Sequence, residues 1–201
     1  SGAGACFAGA PLFASAHNGV AAWGVTLGLM DTADIYLEDV SPDGDSVRDG
    51  DGFVPVQTRT ELIRVKGESE PVEEVVKTSP RGPIIGPALP GETAAISVRA
   101  TWLETGPVRG LLTAWRARSF DEFRREFENW PAAPLNVVYA DTSGATGWLL
   151  CGKAPRRRSG WGTIPLPGWE PDAGWEDEGV AFDQMPHVVS PTTGFVASAN
   201  N

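Results

Sequence analysis

Residues 16–26 read Ala16-His17-Asn18-Gly19-Val20-Ala21-Ala22-Trp23-Gly24-Val25-Thr26. After the Asn18-Gly19 turn signal comes a short apolar run, and 19–23 reads as a strand. Working outward, 35–40 is a second strand-like run. Residues 58–65 partly alternate and are rich in β-formers, and 94–102 is a further strand with Ile96, Val98 and Trp102 in step. The segments 136–140 and 147–151 flank Asp141-Thr142-Ser143-Gly144, the spacing of a hairpin with a glycine-containing loop. The chain therefore reads mostly as short strands and turns.

One helix is well signalled. Ser119 and Glu122 form a capping box, and Phe120, Phe123 and Phe127 then share one face. The helix should stop before Pro131, and a shorter one is expected around 111–116. Two stretches read as loops: the Asp/Gly-rich 41–52, and 79–91 with Pro80, Pro83, Pro87 and Pro90. From 155 to 191 the chain is rich in Pro, Gly and Trp with little periodicity, a surface wrap expected to be anchored by Trp161, Trp169 and Trp175.

Composition narrows the function classes. Gly (24) and Pro (17) make about one residue in five of the 201, yet a hydrophobic fraction of 41% is too high for a disordered chain. No apolar run approaches the ~20 residues of a membrane span. A net charge of −10, with Arg156-Arg157-Arg158 as the one basic cluster, argues against a nucleic-acid surface. The two cysteines, Cys6 and Cys151, either pair or remain buried thiols, and no Cys/His cluster suggests zinc.

Several segments, taken in order, carry a family pattern. The 16–26 stretch and the following Asp31-Thr32-Ala33-Asp34-Ile35-Tyr36-Leu37-Glu38 resemble the GHN…AWG.T…D..DLY.E signature of the penicillin acylase (penicillin amidase) family of N-terminal-nucleophile amide hydrolases. Gly4-Ala5-Cys6-Phe7-Ala8-Gly9-Ala10-Pro11 is similar to G..FPG.P, and 59–67 to R.E.I.VKG. Residues 78–84 are similar to T.HGPI, with Arg81 where the family usually has His. Asn136-Val137-Val138-Tyr139-Ala140-Asp141 matches N.VYAD, 144–147 matches GNIG, and the end Ala199-Asn200-Asn201 is similar to.AN or WNN. The resemblance spans nearly the whole chain.

It implies an α+β fold of layered sheets and helices, mostly β in this stretch. Residues 1–201 would be an internal part of a β chain, continuing at both ends and completed by the α chain and other β-chain segments. The implied reaction is hydrolysis of a small-molecule linear amide through an acyl-enzyme, in a periplasmic or secreted protein with no organic cofactor. The family's nucleophile lies a few tens of residues before the GHN segment. Ser1 precedes His17 by only 16 positions, so it is not assigned that role.

By the same resemblance, the Asn200 side-chain amide and the Leu27 backbone N–H would bind the oxyanion. Ala14, Ser15, Val25, Leu29, Trp115 and Leu135 would line an apolar acyl pocket. Asp31 and Asp34, with the Ala33 carbonyl between them, would hold a structural Ca²⁺, the rest of whose ligands lie elsewhere. His17 belongs to the structural GHN turn and His187 to the surface wrap. The Asp43-Gly44-Asp45 and Asp49-Gly50-Asp51-Gly52 runs read as solvated turns, and 156–158 as a solvated loop. Small residues at Ala14 and Ser15 leave room for a longer acyl group, as in the family's acyl-homoserine lactone and lipopeptide acylases. A non-catalytic secreted module stacking sugars on its tryptophans is the competing class. The acylase reading instead requires Trp23, Trp102 and Trp115 to be buried or pocket-lining.

Overall fold

The computed structural model describes every residue except Pro11, 88–93 and Asn201; the 88–91 end of the expected loop and two motif residues, Pro11 and Asn201, therefore lie outside the described residues. In chain order the strands are β1 (Ala3–Cys6), β2 (Phe13–His17), β3 (Ala21–Leu27), β4 (Ala33–Glu38), β5 (Ser46–Asp49), β6 (Gly52–Pro55) and β7 (Gln57–Ile63). There follow β8 (Val72–Ser79), β9 (Gly82–Pro87), β10 (Ala95–Ala100), helix α1 (Phe120–Arg125), β11 (Leu135–Asp141), β12 (Thr146–Cys151), β13 (Leu166–Pro167) and β14 (His187–Val189). The chain divides into two compact units, the first made of Ser1–Thr32, Thr101–Pro155 and Glu178–Asn201, the second of Ala33–Ala100 and Arg156–Asp177.

The first unit is built on an antiparallel sheet of order β1-β2-β3-β11-β12-β14. Strand alternation sends Trp23, Leu135, Val137, Tyr139, Leu149 and Cys151 to one buried face. Against it packs α1 with the turn that follows it: Phe120 and Phe123 of the helix and Phe127 of the turn are all buried, on the one face the spacing predicts, although the helix itself stops at Arg125. The Phe123 ring centroid lies 5.0 Å from Tyr139 and 5.6 Å from Trp23. The cap forms with one change. Ser119 Oγ accepts from Glu122 N–H, but the Glu122 carboxylate reaches the N–H of Arg118 rather than that of Ser119. The expected helix at 111–116 is instead two short 3₁₀ turns, Gly110–Leu112 and Ala114–Arg116.

Two motif residues explain themselves here. Asn18 clasps the β3 entry to the 3₁₀ region. Its Oδ1 accepts from Val20 and Ala21 N–H at 2.9 and 2.8 Å, while its Nδ2 donates to the carbonyls of Trp115 and Ala117 at 2.9 and 2.8 Å. Gly147 is required by close approach, because a Cβ there would stand 2.3 Å from the Phe120 ring.

The second unit carries the sheet β13-β4-β10-β9-β8-β7, antiparallel except for β13 on β4, and the separate hairpin β5–β6. Three expectations are corrected. The Asp/Gly-rich 41–52 holds β5 and the start of the β5–β6 hairpin, whose Val47 is fully buried. Much of the Pro-rich 79–91 is β9, with Pro83 and Pro87 at positions the ladder tolerates. Strand β10 ends at Ala100, and Trp102 sits in a 3₁₀ turn with 55% of its surface exposed. The alternation in β4 and β10 is also inverted relative to hydropathy: the fully buried positions are Tyr36, Glu38 and Ser97, with Asp34 nearly so.

Candidate active site

Leu27 and Asn200, 173 positions apart in sequence, meet in the first unit: the Leu27 N–H donates to Asn200 Oδ1 at 3.0 Å. The sheet explains why this N–H is available. Gly28 N–H donates to the Pro134 carbonyl, one step beyond the Leu27↔Leu135 pair. Hydrogen-bonded and non-bonded pairs alternate in an antiparallel ladder, so Leu27 N–H points away from β11. Asn200 reaches it from a backbone at φ 61°, a region asparagine tolerates better than most residues. One position earlier in β3, the Thr26 hydroxyl bonds that of Ser198, tying the chain's last residues to the strand. A backbone N–H and a side-chain amide are thus adjacent at the end of β3, the amide presenting its oxygen to the N–H.

Of the six expected pocket residues, Val25, Trp115 and Leu135 share the apolar cluster of the helix-covered face. Trp115 stacks on Phe13 at 5.0 Å and meets Trp23 edge-on at 6.3 Å. Ala14 is half-buried in β2. Two residues are placed elsewhere. Ser15 is exposed with its Oγ beside Gly24, on the opposite side of the sheet from Trp23 and Val25. Leu29, beyond the end of β3, is 74% exposed. A cavity of about 360 Å³ lies on that opposite face, among Gly24, Val138, Ala140, Thr146 and Phe195; it follows from the parity of β3 and β11, which sequence reading used only for the helix-facing side. Ser1 abuts Gly19, at the entrance of β3, so a seven-residue strand of roughly 20 Å separates it from the Leu27 end.

In the second unit, Asp34 does not present an open carboxylate. Arg157 Nε donates to both its oxygens, at 3.0 and 2.9 Å, and Trp175 Nε1 donates to Oδ2. The Arg99 guanidinium lies 4.6 Å over the Trp175 ring. The 156–158 run, read as a solvated loop, therefore supplies the ion-pair partner of a buried carboxylate. Asp31 is exposed in the first unit, and among the described residues no group of three or more His, Cys, Asp or Glu is placed to hold a metal. With Asp34 already neutralised by a cation, these residues do not by themselves form a calcium cage.

The same unit buries a second charge network. Glu38 accepts from Arg81 Nη2, Ser79 Oγ and Ser97 Oγ, each at 2.6 Å, and Arg81 also reaches Asp49 and the Arg48 carbonyl. Burial raises the Glu38 pKa, but its three hydrogen-bonding partners outweigh that and hold it below its ordinary range. Arg81, noted in the sequence for standing where His is usual, is thus the counter-ion of the signature Glu38. Between the two networks, the buried Tyr36 hydroxyl has no hydrogen-bond partner among the described residues, and desolvation pushes its pKa up to about 12.

Other candidates resolve simply. His17 and His187 are exposed, the latter's Nδ1 bonded to the Met185 carbonyl. Cys6 is exposed and Cys151 buried, both as free thiols. Trp175 anchors the wrap, but Trp161 is 85% exposed and anchors nothing. The residues missed from sequence were Asn136 and Trp148: from β11 the Asn136 Nδ2 donates to the Leu27 carbonyl, and from β12 the Trp148 indole N–H donates to Asn136 Oδ1. Asn136 carried a signal, a polar residue inside the apolar run of a central strand.

The penicillin amidase family model matches residues 1–201. The chain is 33% identical to penicillin acylase 2 proenzyme of Pseudomonas sp. strain SE83, over 92% of its own length and 24% of that protein. It is 30% identical to acyl-homoserine lactone acylase QuiP of Pseudomonas aeruginosa, over 99% of its length and 25% of that protein. It thus spans about a quarter of the length of these relatives. Thermostable penicillin G acylase from Alcaligenes faecalis superposes with a TM-score of 0.79 at 24% identity, covering 100% of this chain and 38% of that one. The expected fold class, α+β and mostly β in this stretch, is the one this likeness shows.

Proposed function

The chain belongs to the penicillin amidase family, and from that premise we propose that it is the part of an acylase-type amide hydrolase that supplies the oxyanion donors and one wall of the acyl pocket. The observation that carries this reading is the meeting of Leu27 N–H with the Asn200 side chain at 3.0 Å. As the nucleophile attacks, the substrate carbonyl oxygen becomes anionic and takes the place of Asn200 Oδ1 on the Leu27 N–H. Rotation of the Asn200 amide then aims Nδ2 at the same oxygen. The Leu27 N–H already points at that position, and the Asn200 amide, held beside it, supplies the second donor once it has turned. Val25, Trp115 and Leu135 offer an apolar surface for the acyl group. The nucleophile and its α-amino base come from another part of the protein, and no step passes through calcium. A periplasmic or secreted location belongs to the same proposal.

The test uses the full-length protein and chromogenic amides of phenylacetyl and longer acyl groups. Asn200→Ala is expected to lower kcat by about 10²–10³ with KM little changed, and Ser1→Ala to leave turnover unaltered. Wild-type turnover in Asn200→Ala, or its loss in Ser1→Ala, would overturn the assignment. The small Ala14 favours long acyl chains as a second reading, which the acyl-length profile of kcat/KM decides.

A further inference from the structure

We infer that Asn136 is a positioning residue for the oxyanion donor, held in its working orientation by Trp148; this rests on the hydrolase reading above. Leu27 is gripped at both ends of its backbone by side-chain amides. Its N–H meets Asn200, and its carbonyl accepts from Asn136 Nδ2 at 3.0 Å. The next peptide N–H, of Gly28, is fixed on the Pro134 carbonyl. The Leu27–Gly28 peptide is thus pinned through both its C=O and its N–H. That fixes the torsions of Leu27 where β3 leaves the ladder.

The amide orientation of Asn136 is settled by chemistry. Trp148 Nε1–H, which can only donate, lies 3.1 Å from Asn136 Oδ1. The oxygen must therefore face the indole, and the NH₂ must face Leu27. Reversal would set donor against donor at Trp148 and acceptor against acceptor at Leu27. Asn136 is 1% exposed, so water does not compensate for either loss. Asparagine in the middle of a strand of apolar residues is costly unless its bonds are made, and here one of them goes to the Leu27 peptide, beside the proposed oxyanion position. A packing role alone would suit any apolar residue of similar volume. A donor facing Leu27 and an acceptor facing Trp148 require an amide.

The experiment compares wild type, Asn136→Asp and Trp148→Phe in the full-length protein, measuring kcat, KM and Tm with a chromogenic acyl amide. Asn136→Asp keeps the acceptor for Trp148 but loses the donor to Leu27. It should lower kcat about 10- to 100-fold, the scale of a displaced donor, while KM stays within about twofold, since ground-state binding is untouched. Trp148→Phe removes only the hydrogen bond that sets the amide and should lower kcat about fivefold, one neutral hydrogen bond's worth, again without a KM change. If Asn136→Asp does not fold, Trp148→Phe still decides the matter. Variants with lowered Tm but wild-type kcat per folded molecule would make Asn136 purely structural and end this inference while leaving the hydrolase reading intact. A wild-type protein that hydrolyses no acyl amide would end both.

Discussion

Single side chains in the second unit carry charges where hydropathy would place oil. The Glu38–Arg81 pair is almost fully enclosed. Removing one member strands the other, so Arg81→Ala should cost about 3–5 kcal/mol in chemical denaturation. Glu38 has its pKa lowered by its partners, so its contribution is fully present above the ordinary value of 4.5 and fades as pH falls through the lower, folded value. The Tm deficit of Glu38→Gln relative to wild type should accordingly be constant near neutrality and narrow below pH 4.5; a deficit unchanged in acid would deny Glu38 its charge. Tyr36 makes the opposite case: its buried hydroxyl lacks a partner among the described residues, so Tyr36→Phe should leave Tm unchanged or raise it.

Elements were legible where periodicity and burial agree. The α1 phenylalanines and the β11–β12 hairpin follow directly from spacing and turn chemistry, because their apolar residues face one side. The β5–β6 hairpin and β9 were hidden by composition. Asp, Gly and Pro mark turns on average, yet a short hairpin needs few apolar residues and an N–H-free Pro is tolerated where the ladder does not need it. The polar face of β4 was hidden for another reason: a charge is buried only when its partner, distant in sequence, arrives with it, as Arg157 does 123 positions after Asp34. At the candidate site, Leu27 and Asn200 were readable only through family resemblance, and Asn136 needed the neighbouring strands. At this scale Gly147→Ala should cost about 1–3 kcal/mol through overpacking against Phe120, with a changed near-UV CD signal from the aromatic cluster. Unaltered stability would mean the ring can shift.

At the scale of the whole molecule, each unit has its own interior, an aromatic cluster in the first and paired charges in the second. Added Ca²⁺ should leave the Tm of this chain unchanged, since Arg157 already neutralises Asp34; a calcium-dependent rise would mean that the ion displaces or supplements the guanidinium. The two thiols differ sharply. Cys151 is sealed in the core, where desolvation pushes its pKa up to about 12, whereas Cys6 lies exposed on β1 at the end of the first sheet. A thiol titration should find one fast group in the native chain and two after denaturation. A maleimide dye can therefore be placed at a single known point without any engineered cysteine. Sitting on a strand that is the outermost of its sheet among the described residues, it becomes a reporter whose emission changes when another polypeptide adds to that edge.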